Sequence, residues 1–249
     1  AGTKVTVQVG SSGRIYGAGG DGGAGGNVAN QESSGIAPNG LPYNEDGANG
    51  ENGTSALGVE YNNTVVKVRS GGIIVSGFGG GGGGAAAFEG SIHPRGSAGG
   101  GGGGGAGSPA GVGGAKGDSD TSHSAQDGSD GSNGSVPNGG EQGGVGGTSG
   151  GCTGDTPPFG TGLPPYTDEC ESRGGAGGKG RDEETTGTGY DNDGTGQVSY
   201  TNPTGSSVRN GTAGNGGGDG AAIRRTGGLT VTITNDGTIA GETTATGVS

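Results

Sequence analysis

Tryptophan and methionine are absent from this chain, and phenylalanine occurs only three times. Hydrophobic residues make up 24% of it, about half the share on which an ordinary globular core is built. That shortage argues against a helix bundle, a doubly wound sheet and a conventional enzyme fold. No apolar stretch reaches the roughly 18 residues that a membrane-spanning helix needs, and no signal peptide is apparent. Cations are scarce too: 12 Lys and Arg stand against 24 Asp and Glu, for a net charge of −12. Such a surface repels phosphate backbones, so nucleic acid is not an expected partner, and membrane insertion is not expected either. The chain opens on Ala and holds no Met, so its N-terminus is expected to be processed or to lie within a longer protein.

Glycine fills the gap, with 74 of 249 residues. Such a composition signals disorder unless it carries a period, and a period is present. In GSAGGGGGGGAGSPAGVGGAKG, residues 96–117, every third position is Gly96, Gly99, Gly102, Gly105, Ser108, Gly111, Gly114 and Gly117. The spacing recurs at Gly17, Gly20, Gly23 and Gly26, at Gly77, Gly80 and Gly83, and at Gly128, Gly131 and Gly134. It returns at Gly174, Gly177 and Gly180, and at Gly211, Gly214, Gly217 and Gly220.

Three residues per turn is the period of a left-handed polyproline II-type helix, which rises about 3.1 Å per residue and has no internal hydrogen bonds. Its amides and carbonyls must find partners outside the helix. Collagen does this with three chains, but here proline is sparse and every run is interrupted. The expected solution is one chain folded back on itself, with parallel and antiparallel polyglycine II rods exchanging N–H···O=C bonds. Runs of about ten residues give rods on the order of 30 Å. Polar insertions at 27–60, 85–95, 118–127, 152–173 and 181–210 are expected to form variable loops at the ends of the bundle.

A second repeat frames the glycine runs. KVTVQVGSSGRIYGAGG, NNTVVKVRSGGIIVSGFGG and GLTVTITNDGTIAGETT each read as a short alternating strand, a polar turn and Gly-x-Ile. Alternation at period two indicates half-buried strands, which places strand units at 3–16, 64–76 and 229–240. Asn235-Asp236-Gly237 is a hairpin-turn signal. Val5, Val7, Val9, Val66, Val68, Ile73, Ile74, Val75, Val231, Ile233 and Ile239 fall in these units and are expected to form the little apolar packing available. The expected fold class is therefore irregular and mostly β, without helices. A single domain, 1–249, holds a bundle of polyglycine II rods framed by short strands and hairpins.

The order of strand, turn, Gly-x-Ile and glycine-rich run, repeated in VTVQVGSSGRIYGAGGDGGAGG, VVKVRSGGIIVSGFGGGGGGAAA and GGGDGAAIRRTGGLTVTITNDGTIAG, resembles the tip adhesins on the long tail fibres of T-even-type bacteriophages. In that family, glycine-rich motifs form a stacked bundle of polyglycine II helices, and the segments between them form distal receptor-contacting loops. The resemblance implies a non-enzymatic receptor-binding protein of the virion tail, exposed outside the cell. Its implied partners are a bacterial outer-membrane protein or surface glycan and a phage tail-fibre or tail-tip protein. Two other readings stand beside it: a secreted structural or filament protein, and an ice-binding protein, since another polyglycine II bundle type binds ice.

Aromatic residues in the insertions, Tyr43, Phe88, Phe159, Tyr166, Tyr190 and Tyr200, are the candidate receptor-binding side chains, because they give large contact area at low entropy cost. The alternative for each is to fold down and pin its own loop. Tyr16 and Phe78 adjoin glycine runs and are expected to cap the bundle by packing. Cys152 and Cys170 bracket a Pro-rich loop with no CxxC pair nearby. A disulfide there would contribute about 3 kcal/mol and place the protein outside the cytosol; two free thiols are the alternative. Asp191 and Asp193, in Asp191-Asn192-Asp193-Gly194, hint at a calcium loop but lack its full spacing and terminal glutamate, so the stretch reads as a solvated turn and no cofactor is expected. His93 and His123 have no nucleophile or ligand partner at a recognisable spacing, and no catalytic residue is assigned.

Overall fold

The computed structural model describes residues 4–27, 46–90, 95–118, 127–135 and 207–247, and no helix occurs among them. The first repeat forms β1 (Thr6–Val9) and β2 (Arg14–Tyr16). The second forms β4 (Thr64–Val68) and β5 (Ile73–Val75), preceded by β3 (Leu57–Val59). The third forms β10 (Val231–Asn235) and β11 (Thr238–Ala240), with β9 (Ile223–Arg225) before them and β12 (Ala245–Thr246) after.

These strands stack as three parallel sheets, ordered β1-β4-β10, β11-β5-β2 and β12-β9-β3. Equivalent residues of the repeats lie side by side: Val7, Val66 and Ile233 in the first sheet, and Ile15, Ile74 and Ile239 in the second. The alternation seen in sequence points one set inward. Val9, Val59, Val66, Val68, Ile74, Ala222 and Ile223 make a common core for all three sheets.

The hairpin expected at Asn235-Asp236-Gly237 does not form. β10 and β11 belong to different sheets, and each pairs in parallel with the matching strand of another repeat. The turn is a corner between sheets, as are its counterparts at 10–13 and 69–72. Gly237 is needed there because a Cβ on it would meet the Gly72 carbonyl oxygen at 2.4 Å. Pairing between repeats sets the partly buried Ile15 and Ile239 on either side of the fully buried Ile74.

Among the described residues, seven glycine-rich segments pack side by side beyond this stack: 17–27, 46–56, 76–86, 98–108, 111–118, 127–135 and 211–222. They are held by backbone hydrogen bonds of 2.7–3.0 Å at every third residue. Gly17, Gly20, Gly23 and Gly26 donate to Val75, Phe78, Gly81 and Gly84, while Gly19, Gly22 and Gly25 donate to Pro109, Val112 and Ala115. Gly99, Gly102, Gly105 and Ser108 donate to Gly26, Gly23, Gly20 and Gly17, so that pair runs antiparallel. All of these neighbour relations fit two staggered rows. One holds 211–222, 76–86, 98–108 and 127–135; the other holds 46–56, 17–27 and 111–118. Interior positions leave no room for a side chain: a Cβ on Gly102 would sit 2.0 Å from the Gly81 oxygen.

Outward amides find side chains instead. Val112 N–H donates to Asp21 Oδ1 (2.7 Å), Gly79 N–H to Asp219 Oδ1 (3.1 Å) and Ala18 N–H to Thr54 Oγ1 (2.7 Å). This satisfies donors that no backbone carbonyl takes up among the described residues. Where stack and bundle meet, fully buried Phe78 packs with Val75 and Ala106, flanked by Tyr16, Ile73 and Ala240. Both aromatics thus close the bundle at its strand end.

Four expected insertions are corrected in extent. The stretch 27–60 is not one loop, because 46–56 is a packed segment and 57–59 is β3. The stretches 85–95 and 181–210 contain β6 (Ala87–Gly90) and β8 (Ser207–Asn210); with β7 (Arg95–Ser97) these make an antiparallel sheet, ordered β7-β6-β8. The 118–127 insertion has structured roots, since Asp118 is buried and Asp127 is ion-paired.

Candidate functional site

The segments have two unlike ends. At one end they run into the strand stack: Tyr16 into 17–27, Val75 into 76–86, and 211–222 into β9. At the opposite end a relay of hydrogen bonds crosses the bundle. Gly47 N–H reaches Thr212 O, Gly211 N–H reaches Ala86 O, and Gly26 N–H reaches Gly84 O. Gly99 N–H then reaches Gly26 O, Gly117 N–H reaches Gly99 O, and Gly128 N–H reaches Gly117 O. The residues on either side of 28–45, 91–94 and 119–126 are therefore gathered at this one end.

Side chains lock those roots together. Asn27 and Asp118, both nearly inaccessible to solvent, are joined by the Asp118 N–H to Asn27 Oδ1 bond of 2.8 Å. That links the start of 28–45 to the start of 119–126. Lys116 Nζ bridges Asp118 Oδ1 at 3.3 Å and Asp127 Oδ2 at 2.6 Å, tying both roots of 119–126. The hydrogen bond to Asp127 raises the Lys116 pKa above its ordinary value, against a smaller opposing effect of burial, with Asp118 adding to the rise. Asp46, at the other root of 28–45, accepts from both Thr212 N–H (2.7 Å) and Thr212 Oγ1–H (2.9 Å). Thr212 follows β8, so this bond joins the 28–45 root to the segment entering from 207.

The β7-β6-β8 sheet continues three adjacent segments beyond the bundle at the same end. Phe88 lies in β6, the central strand, level with Gly96 and Arg209. Of the candidate receptor-binding residues, Phe88 alone lies among the described residues. Tyr43, Phe159, Tyr166, Tyr190 and Tyr200 lie outside them, as do Cys152 and Cys170, Asp191 and Asp193, and His93 and His123. Among the described residues no cluster of three His, Cys, Asp or Glu is placed to hold a metal, and no helix is long and apolar enough to cross a membrane.

The sequence reading missed two features. Tyr61, 67% exposed, lies between β3 and β4 at the strand end; its place among Glu60, Asn62 and Asn63, between two strand patterns, marks it as a turn residue. The second is DGANGENGT, residues 46–54, whose Gly47, Gly50 and Gly53 carry the three-residue period within a stretch assigned to a loop. Comparison with known protein families, curated proteins and solved structures finds no match to this chain.

Proposed function

We propose that this chain is a receptor-binding domain of a phage tail tip, in which packed polyglycine II helices hold variable loops against a bacterial surface molecule. The three-residue hydrogen-bond period between glycine segments supports the polyglycine II reading. One observation carries the functional reading: the roots of 28–45, 91–94 and 119–126 lie at the end opposite the strand stack, and those of 28–45 and 119–126 are joined there through Asn27, Asp118, Lys116 and Asp127. Varied, polar segments on a rigid backbone platform suit recognition, because the platform limits the entropy lost on binding. The receptor is a bacterial outer-membrane protein or a surface glycan, and the strand stack faces the fibre or tail-tip protein. The domain acts by binding, without catalysis.

Competition tests this reading. Purified domain is expected to block adsorption of the parent phage to its host cells. Replacing 28–45 or 119–126 by a Gly/Ser link of equal length is expected to abolish blocking while leaving the unfolding transition in place. Tyr61→Ala, at the far end, is expected to leave blocking unchanged. Full blocking by both loop replacements would overturn the assignment.

A further inference from the structure

We infer that Asn49, Asn52 and Asn133 are latent deamidation sites, kept closed by the bundle's own hydrogen bonds, whose reaction turns a brief opening of a glycine segment into a permanent one. The inference does not depend on the receptor-binding reading. Each of the three stands immediately before a glycine, Gly50, Gly53 or Gly134. That order favours this chemistry, because glycine has no Cβ to hinder its nitrogen from approaching the asparagine side-chain carbon. All three asparagines are also exposed, so water and hydroxide reach them.

Both reacting groups are held. The nucleophile is the glycine nitrogen once its proton is lost. Here Gly50, Gly53 and Gly134 N–H donate to the Asn215, Gly218 and Gly111 carbonyls, each at 2.9 Å. The electrophile is the asparagine side-chain carbon, and its oxygen accepts from another segment. Asn49 Oδ1 accepts from Asn215 N–H (2.8 Å), Asn52 Oδ1 from Gly218 N–H (2.7 Å) and Asn133 Oδ1 from Gly113 N–H (2.9 Å). Taken alone, this second bond would draw electrons from the carbon and favour attack. It also fixes the side chain against the adjacent segment, while the first bond keeps the proton on the nucleophile. Ring closure therefore requires the segments to part, which is a local opening. Accepting an amide does not itself require asparagine: Asp46 Oδ1 takes Thr212 N–H at 2.7 Å, and Asp130 Oδ1 takes Lys116 N–H at 2.8 Å. Asparagine adds a reactivity that the hydrogen bond does not need.

The reaction closes on itself chemically. In an opened segment, the deprotonated Gly50 nitrogen attacks Asn49 Cγ and ammonia leaves, forming a cyclic succinimide. Water then adds to one of the ring's carbonyls. Opening on one side gives an aspartate; opening on the other gives an isoaspartate, in which the main chain runs through the former side chain. In sum, asparagine and water give a carboxylic acid and ammonia, with no oxidant or reductant. The aspartate keeps its acceptor in place. The isoaspartate adds an atom to the backbone, so the later amides of 46–56 fall out of step with 211–222 and the segment does not close again.

The test compares the full chain folded in buffer with the same chain unfolded in guanidinium chloride, at equal, mildly alkaline pH and temperature. Peptide mapping by mass spectrometry follows deamidation, with isoaspartate resolved by chromatography, and amide exchange is read in parallel at Gly50 and Gly53. Asn49 and Asn52 are expected to react at least about tenfold more slowly in the folded chain, by a factor that matches the exchange protection of the glycine that follows. Denaturant below the unfolding midpoint is expected to speed both together. Aged folded chain with isoaspartate at position 49 is expected to lose exchange protection at Asn215 and Gly218. The aspartate fraction of the same sample, and the Asn49→Asp/Asn52→Asp variant, are expected to keep it. Equal rates in folded and unfolded chain would overturn the inference, as would slowing unrelated to exchange protection. So would isoaspartate-bearing chains whose Asn215 and Gly218 amides stay protected.

Discussion

Ile74 in the strand stack and Gly102 in the glycine bundle are both enclosed, but by different things. Ile74 is surrounded by Val, Ile and Ala side chains contributed by three repeats. Gly102 is surrounded by backbone: its amide donates to Gly23, its carbonyl accepts from Gly114, and Gly81 lies across the gap its side chain would need. The strand stack gains its cohesion from apolar area removed from water. The bundle gains it from paired peptide groups brought close by the lack of side chains, which offsets the large entropy that glycine loses on folding. A chain short of hydrophobic residues can be ordered because it concentrates them where strands converge and lets peptide bonding hold the rest.

The sharpest way to break this contrast is to add one methyl group. Gly102→Ala places a carbon 2.0 Å from a backbone oxygen that cannot swing away, and is expected to cost more than about 4 kcal/mol or to prevent folding. Gly10→Ala, where nothing lies within 4 Å, is expected to stay within about 0.5 kcal/mol of the unaltered chain. Urea denaturation measures both, and equal tolerance would remove close backbone packing as the source of order. Next in size is the joint between the regions. Phe78→Ala empties a fully buried site shared by both and is expected to cost about 3–5 kcal/mol, shifting a single thermal transition. Two separate transitions would make stack and bundle independent folding units.

A smaller effect is expected at the bundle surface. Asp21→Ala leaves the Val112 amide without its 2.7 Å acceptor and is expected to cost about 1 kcal/mol, whereas Asp21→Asn keeps an acceptor and most of the stability. Smallest is the ion pair at the loop end. The Lys116 pKa is raised in the folded chain, so its stabilising contribution is complete below the ordinary 10.5 and fades as pH climbs through the raised folded value. Lys116→Met is expected to narrow its melting-temperature gap from the unaltered chain above that pH. A constant gap would place the contribution of Lys116 in packing rather than charge.

Much of this architecture was legible because periodicity survives low complexity. Period two placed β1, β4 and β10, and period three picked out Gly99, Gly102, Gly105 and even Ser108, all of which are donors to one neighbour. Partner choice was not legible. Asn235-Asp236-Gly237 looks the same in a hairpin and in a corner between parallel sheets, since the difference lies in residues about 165 positions away. The 46–56 segment was hidden by its Asp, Asn and Glu, which resemble loop composition. Those same residues have a structural role: Asp46, Asn49 and Asn52, each just before a glycine at every third position, accept from the amides of Thr212, Asn215 and Gly218 on the adjacent segment.

The alternation of donors within a segment constrains how such a chain can change in length. In 17–27, residues three apart face one neighbour, and the set shifted by one position faces another. Losing or gaining a single residue would hand every later amide to the wrong side, whereas a change of three would slide the segment by one bond and restore every partner. Inherited insertions and deletions in the glycine runs should therefore come in whole triplets of amino acids, while those in the intervening loops are free to take any size.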